Sequence, residues 1–209
     1  MKSFVPGIRT FLIQPVFLFF FLSRIIPLAA QPENYKLHIQ KHREQYVATH
    51  EVVKGDDKKK MCFYDADEDY KVTATIEKIF EAPWFKMETS GKDKKVFRLY
   101  ALVHFELHSK VLKLHIYQSQ HLMTVKEYEN YLFIPFTDLT NGEGSYENGR
   151  YIDLSADDLS GDKFIIDFNK AYNPYCAYVS NIYNCPVPPA ENNLPVAIKA
   201  GEMKYGVQH

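Results

Sequence analysis

The chain has 209 residues, of which 46% are hydrophobic, and its 25 basic residues nearly balance its 26 acidic ones. This length and composition suit one domain with a sizeable core. The charge balance excludes a strongly basic protein, and Lys58–Lys60 is a short basic run, so we expect no nucleic-acid partner.

Residues 1–30 follow the order of a secretory signal peptide. Two basic residues precede the apolar run Phe11–Leu22, and small residues end the segment at Ala30. The run is about 12 residues long, whereas a membrane-spanning helix needs ~20. We therefore expect cleavage near Ala30, export to the periplasm or the extracellular space, one domain over residues 31–209 and no stable membrane span. An uncleaved N-terminal anchor is the alternative.

The spacing of apolar side chains changes along the first part of the expected domain. Residues 32–50 carry apolar side chains at helical spacing among charged ones, which predicts an amphipathic helix. From Tyr70 to Glu77 the spacing becomes two, which predicts a half-buried strand. Residues Trp84–Met87 predict another short strand before a Gly-containing turn.

An antiparallel hairpin is the clearest element, in residues 100–116. Apolar and polar side chains alternate on both arms, and a two-residue turn at Ser109 and Lys110 pairs Phe105 with Leu114. In that register all the strong apolar residues share one face, which is typical of a hairpin that covers a core.

Four further short strands are predicted downstream: Tyr131–Phe136, Arg150–Leu154, Phe164–Phe168 and Pro195–Ile198. Gly, Asn and Pro residues separate them, and no long helices alternate with them. Short strands at this spacing predict a mostly β (β-rich α+β) fold, either an antiparallel sandwich or a partial barrel, with the N-terminal amphipathic helix.

Two of the three cysteines, Cys176 and Cys185, are close in sequence and flanked by Pro-rich loop. Export permits a disulfide, so we favour a bridge between them, and three reduced, buried thiols are the alternative. A nucleophilic Cys176 would need a histidine base from the distant hairpin, which makes that role less favoured.

Several strings in the last third of the chain carry a family resemblance: PFTDLTNG, SYENGRY, DFNKAYNPYCAY, CPVPPAENNLP and AGE. With them and the KHRE stretch at residues 41–44, the chain resembles the family catalogued as a domain of unknown function, number sixteen eighty-four. The resemblance implies a single domain, in exported and unexported versions, with no assigned activity. Unexported relatives imply that the cysteine bridge is not essential. The recurring polar positions of the family fall on Asp138, Thr140, Tyr146, Gly149, Arg150, Asp167, Asn169, Cys176, Cys185, Asn192 and Glu202.

Four of these positions could carry chemistry: Asp138, Arg150, Asp167 and Glu202. Carboxylates near an arginine can act as an acid/base pair with a clamp for a carboxylate or phosphate. The first three lie at or next to strand ends, which can converge at one rim of a sheet. A structural Arg–Asp pair that holds the loops is the alternative reading.

Candidate ligand-binding residues are Tyr146, Tyr175, Asn169 and Asn192. Tyrosines stack on sugars and bind peptides because each offers an apolar ring and a hydroxyl. The alternatives are loop packing for the aromatic rings and a turn position for Asn192.

The hairpin histidines suggest a metal site only weakly. His104, Glu106, His108 and His115 could converge on one face and hold zinc, but Lys113 would lie beside the ion, and the family differs at these positions. We therefore expect no metal ligands and no cofactor.

The sequence thus supports three functions in descending order. The first is an exported module that binds a small molecule or glycan at a polar, aromatic rim. The second is a hydrolase that uses Asp138, Asp167 or Glu202 with Arg150 as anion clamp. The third is a metal-binding protein.

Overall fold

The structure, a computed structural model, describes Met1 and residues 34–206. The predicted signal peptide and its cleavage site fall on residues outside this part of the chain. Within the described residues, no helix has both the length and the apolar character needed to cross a membrane.

One antiparallel sheet dominates the fold and curves into a half-barrel. Its order is β6-β5-β4-β3-β1-β7, and the short β2 pairs with β3. The strands are β1 (Lys71–Lys78), β2 (Phe85–Met87), β3 (Lys95–Leu107), β4 (Lys110–Ser119), β5 (Tyr131–Phe136), β6 (Arg150–Ser155) and β7 (Lys163–Asp167). The predicted mostly β, antiparallel fold is confirmed, as a partial barrel rather than a two-sheet sandwich.

The N-terminal helix, α1, spans Tyr35–Thr49 and begins after Asn34, whose side chain accepts a hydrogen bond from the Lys36 N–H (3.0 Å). Ile39 is its one fully buried residue, so the apolar stripe is narrower than the sequence predicts. The same helix carries Tyr46, which lines a cleft described below.

The β3–β4 hairpin forms in a register two residues away from the predicted one. Phe105 pairs with Leu112, and Leu114 lies opposite Val103. The turn residues are His108 and Ser109, with φ of 49° and 61°, the conformation that tight hairpin turns favour. Because side chains alternate with a period of two, this shift leaves the predicted apolar face buried.

The main core covers one face of the sheet. On β5 the even-numbered residues Leu132, Ile134 and Phe136 are fully buried in it. Phe133, between them, belongs to a second cluster with Met87, Phe97, Tyr117 and Tyr151. Since neighbouring residues on a strand point to opposite faces, this aromatic cluster lies on the other face of the sheet.

The predicted closing strand at Pro195–Ile198 is wrong, because this segment is not a strand. Val196 accepts one backbone hydrogen bond, from Leu139 N–H (3.0 Å), and the Ile198 N–H donates to the Asp138 carboxylate (3.1 Å). The segment fills the core as an irregular chain, and side chains rather than a neighbouring strand satisfy part of its backbone.

Candidate functional site

Arg150 and Asp138 form a fully buried ion pair. Arg150 Nη2 lies 2.8 Å from Asp138 Oδ2, and neither side chain is exposed. The guanidinium also donates to three backbone carbonyls, those of Ile198 (2.9 Å), Ala200 (2.5 Å) and Glu202 (3.1 Å). Arg150 therefore fixes the C-terminal segment against β6.

The second oxygen of Asp138 is also satisfied. Oδ1 accepts hydrogen bonds from the Thr140 N–H (2.8 Å), the Thr140 hydroxyl (2.6 Å) and the Ile198 N–H (3.1 Å). A catalytic role for Asp138 and Arg150 stays a prediction from the sequence, and the complete burial of both side chains argues against it, because an acid/base group must reach its substrate.

Glu202 is a buried carboxylate held by neutral donors. It accepts hydrogen bonds from the hydroxyls of Tyr178 (2.7 Å) and Tyr46 (3.3 Å) and from the Asn173 N–H (2.9 Å). Burial raises its pKa to about 7, although these hydrogen bonds and Arg150 favour the charged form. Glu202 therefore lies behind Tyr46, and Tyr46 is the member of this group that lines the cleft.

Asp167 and Asn169 line the cleft. Asp167 Oδ1 accepts the Tyr35 hydroxyl (2.8 Å) and the Asn169 N–H (3.1 Å). The Asn169 amide in turn bonds the backbone of Asp67 in both directions, at 2.7 and 3.0 Å. These contacts tie α1 and the loop before β1 to the end of β7.

The other predicted ligand-binding residues separate. Tyr175 lines the cleft, whereas Tyr146 and Asn192 are buried away from it. The Asn192 side chain bonds the backbone of His115 and the Pro135 carbonyl, and so bridges β4 and β5.

Cys176 and Cys185 form a disulfide, the pairing that the sequence favours. It closes the loop that contains Tyr183, and this loop forms one wall of the cleft.

The hairpin histidines do not gather. His104 Nε2 lies 3.0 Å from Glu77 on β1, and the His115 side chain contacts Tyr117 instead. Nowhere in residues 34–206 do three His, Cys, Asp or Glu side chains stand close enough to hold a metal ion.

A cleft of about 1160 Å³ lies between α1, β6, β7 and the loop of the disulfide. Tyrosines supply much of its surface, among them Tyr46, Tyr151, Tyr172, Tyr175 and Tyr183. Tyr151, Tyr172 and Pro186 also border a neighbouring groove of about 790 Å³, so the two depressions share these wall residues.

Asp153 lines this cleft. Its Oδ1 accepts hydrogen bonds from the hydroxyls of Tyr131 (2.7 Å) and Tyr172 (2.6 Å). Oδ2 accepts no hydrogen bond from any described residue, and solvent reaches the side chain although protein atoms surround it. That crowding raises the pKa of Asp153, while the two hydroxyls oppose the rise. Burial raises the pKa of Tyr172 well above its usual value, so Tyr172 stays a donor.

Lys95 contributes a cation to the cleft and to the adjoining groove. It makes no ion pair with the residues that the structure describes, and partial burial lowers its pKa. An amine in this state can donate to a ligand without first breaking a salt bridge.

Sequence reasoning missed Asp153, because in RYIDLS it occupies an ordinary outward position. The signal that could identify it is the pairing of β5 with β6, which places Tyr131 opposite Ser155 and hence diagonal to Asp153.

Comparisons with known proteins are consistent with this fold. A solution NMR structure of the uncharacterized protein from gene locus rrnAC0354 of Haloarcula marismortui is 32% identical, with a TM-score of 0.61. The match covers 81% of this chain and 94% of that one. No curated protein matches the chain. A family model described as a protein of unknown function (DUF1684) matches residues 57–203, as the sequence motifs predict. The chain therefore belongs to the DUF1684 family.

Proposed function

We propose that the cleft binds a polyhydroxylated small molecule, such as a glycan fragment, and that it does so outside the cytoplasm. The observation that carries the proposal is Asp153, a cleft-lining carboxylate with one oxygen held by two tyrosines and no hydrogen bond from a described residue to the other oxygen. Export is inferred from the N-terminal sequence alone.

The chemistry of the lining supports a hydroxylated ligand. A carboxylate oxygen accepts a hydrogen bond from a sugar hydroxyl, and a tyrosine ring packs on the apolar face of a sugar ring. Lys95 adds a donor for ring or hydroxyl oxygens. The cleft volume is close to the ~300–1,000 Å³ that is usual for small-molecule sites.

Preorganisation also favours binding at this position. The hydroxyls of Tyr131 and Tyr172 fix the orientation of the Asp153 carboxylate before any ligand arrives. A group that is already ordered loses less side-chain entropy on binding, so more of the interaction energy contributes to affinity.

The test is a glycan and metabolite screen of the purified chain, followed by calorimetry on each hit with Asp153→Asn and Tyr172→Phe. We expect each variant to bind about tenfold more weakly, the effect of losing one hydrogen bond to a charged group. Asp157→Asn is the matched control, since Asp157 is an exposed aspartate near the same end of β6 that does not line the cleft. Unchanged affinity in both Asp153→Asn and Tyr172→Phe would contradict the proposal.

The hydrolase alternative has less support. Of its three proposed carboxylates only Asp167 lines the cleft, and one oxygen of Asp167 is already bonded to Tyr35 and Asn169. Asp138 and Glu202 are buried behind the surface.

A further inference from the structure

We infer that the ligand of the cleft is an anionic saccharide whose acidic group binds between α1 and the turn after β7. This inference rests on the proposed function and names the substrate class for the same site. It is carried by three basic residues that line the cleft and make no hydrogen bond or ion pair with another side chain in the described part of the chain: His42, Arg43 and Lys170.

The three basic side chains are close enough for the charges of Lys170 and Arg43 to act on His42. Burial lowers the pKa of His42, and Lys170, His38 and Arg43 lower it further by repulsion. Asp167 opposes this effect, but hydrogen bonds from Tyr35 and Asn169 already hold that carboxylate. Two cations, Arg43 and Lys170, line this end of the cleft together with one carboxylate, Asp167, so the lining has an excess of positive charge there.

Arg43 shows the same imbalance in its contacts. Its Nε and Nη2 are buried, and no described residue accepts a hydrogen bond from them. Its guanidinium lies 5.2 Å from the centre of the Phe63 ring, an arrangement that positions the charge without neutralising it. Asp65, which also attracts Arg43, does not line the cleft, and the two residues share a second depression beside the helix.

The basic end connects directly with Asp153. Tyr46 follows His42 by one helical turn, and the centres of the Tyr46 and Tyr172 rings are 5.9 Å apart. Tyr172 then donates its hydroxyl to Asp153. A saccharide laid along these rings would place hydroxyls at Asp153 and its acidic group at His42 and Lys170.

The two ends also determine orientation. Asp153 repels an acidic group and the cations attract it, so the reversed pose would juxtapose like charges. A carboxylate and a phosphate share the required chemistry, because both accept hydrogen bonds from cations.

The experiment compares probes that differ only in charge. Uronic-acid oligosaccharides are arrayed as free acids and as their methyl esters, with sugar phosphates and their unphosphorylated parents beside them. We expect at least one acidic form to bind about tenfold or more tightly than its neutral counterpart. The stronger of the carboxylate and phosphate arms identifies the acidic group.

Variants locate the effect. His42→Gln and Lys170→Gln should each reduce the preference for the acidic form while leaving affinity for the neutral form unchanged. Lys163→Gln, at the other end of β7 and outside the cleft, is the matched control and should keep the preference. The His42 imidazole, followed by NMR, should show a higher pKa when the acidic probe is bound and no change with the ester.

The outcomes distinguish the inferred anionic ligand from the proposed saccharide site on which it rests. Equal binding of acidic and neutral forms, or equal losses in Lys170→Gln and Lys163→Gln, would overturn the anionic ligand and leave the saccharide site standing. Absence of binding by any saccharide would refute the proposed function, and this inference with it.

Discussion

Asp138 and Asp153 belong to the same hairpin, β5–β6, yet their surroundings are opposite. Asp138 has an arginine on one oxygen and three donors on the other, with no exposure to solvent. Asp153 lines an open cleft, with two tyrosine hydroxyls on one oxygen and no hydrogen bond from a described residue to the other. A carboxylate with every acceptor position filled can hold a fold together, whereas one with an acceptor to spare can bind a ligand.

These different surroundings predict different costs in stability when each carboxylate or its partner is changed. A buried charge is stable only while its partners remain, so removing one partner costs far more than removing an exposed ion pair. A carboxylate that solvent reaches loses little when it is neutralised. The comparison therefore predicts large effects on stability at Asp138 and Arg150, and effects mainly on binding at Asp153.

The largest effect is expected from Arg150→Met, which would leave Asp138 buried and three carbonyls without a donor. We expect the free energy of unfolding to fall by about 3–5 kcal/mol, measured by chemical denaturation. Lys59→Met, which removes an exposed ion pair with Asp56, should cost less than about 1 kcal/mol. A loss in Arg150→Met as small as that in the control would contradict the structural role of the buried Arg150–Asp138 pair.

Glu202 shows how a carboxylate behaves when it is as buried as Asp138 but forms no ion pair with a cation of the described residues. Its pKa of about 7 lies above the unfolded value of 4.5, so the folded state binds more protons between these pH values. Stability from this group is present below pH 4.5 and is lost as pH rises to about 7, by about 3 kcal/mol.

The measurement is the free energy of unfolding as a function of pH in the unmodified chain and in Glu202→Gln. The variant should lack this decrease, because glutamine does not titrate. The exposed Glu129→Gln is the control and should retain it. A decrease of the same size in Glu202→Gln would assign the pH dependence to other groups.

The smallest effect on stability is expected from Asp153→Asn. Solvent reaches this carboxylate, and an amide oxygen can still accept the two tyrosine hydroxyls, so the free energy of unfolding should change by no more than about 0.5 kcal/mol. Thermal denaturation at neutral pH measures it. A loss comparable to that of Arg150→Met would mean that Asp153 is a structural residue, like Asp138.

The sequence predicts the faces of the sheet better than its registers. Alternation placed Phe105 and Leu114 correctly toward the core, because the period of two follows from strand geometry alone. Their pairing was wrong by two residues, because a turn at His108 and Ser109 requires positive φ from residues that carry no glycine or asparagine signal.

The sequence also identified only some of the residues of the candidate site, because it does not show which distant residues come into contact. The sequence drew attention to Asp138, Arg150 and Glu202, and the structure does bring the first two together, in the interior. Residue type alone does not reveal burial, and charged residues are almost never fully buried unless they are paired. Asp153 was missed because it occupies an ordinary outward strand position, and its partners Tyr131 and Tyr172 lie 22 and 19 residues away in the sequence.

The irregular C-terminal segment has a consequence for the order of events during synthesis. Leu194, Ile198 and Ala200 complete the core, and the carbonyls at 198, 200 and 202 are the backbone partners of Arg150. A chain is synthesised from its N-terminus, so all seven strands are made before these residues exist. Until then Arg150 would face an unfinished interior with most of its acceptors missing. We expect the polypeptide to stay loosely packed until that late moment, a property that would suit a protein threaded through a translocation pore before it folds.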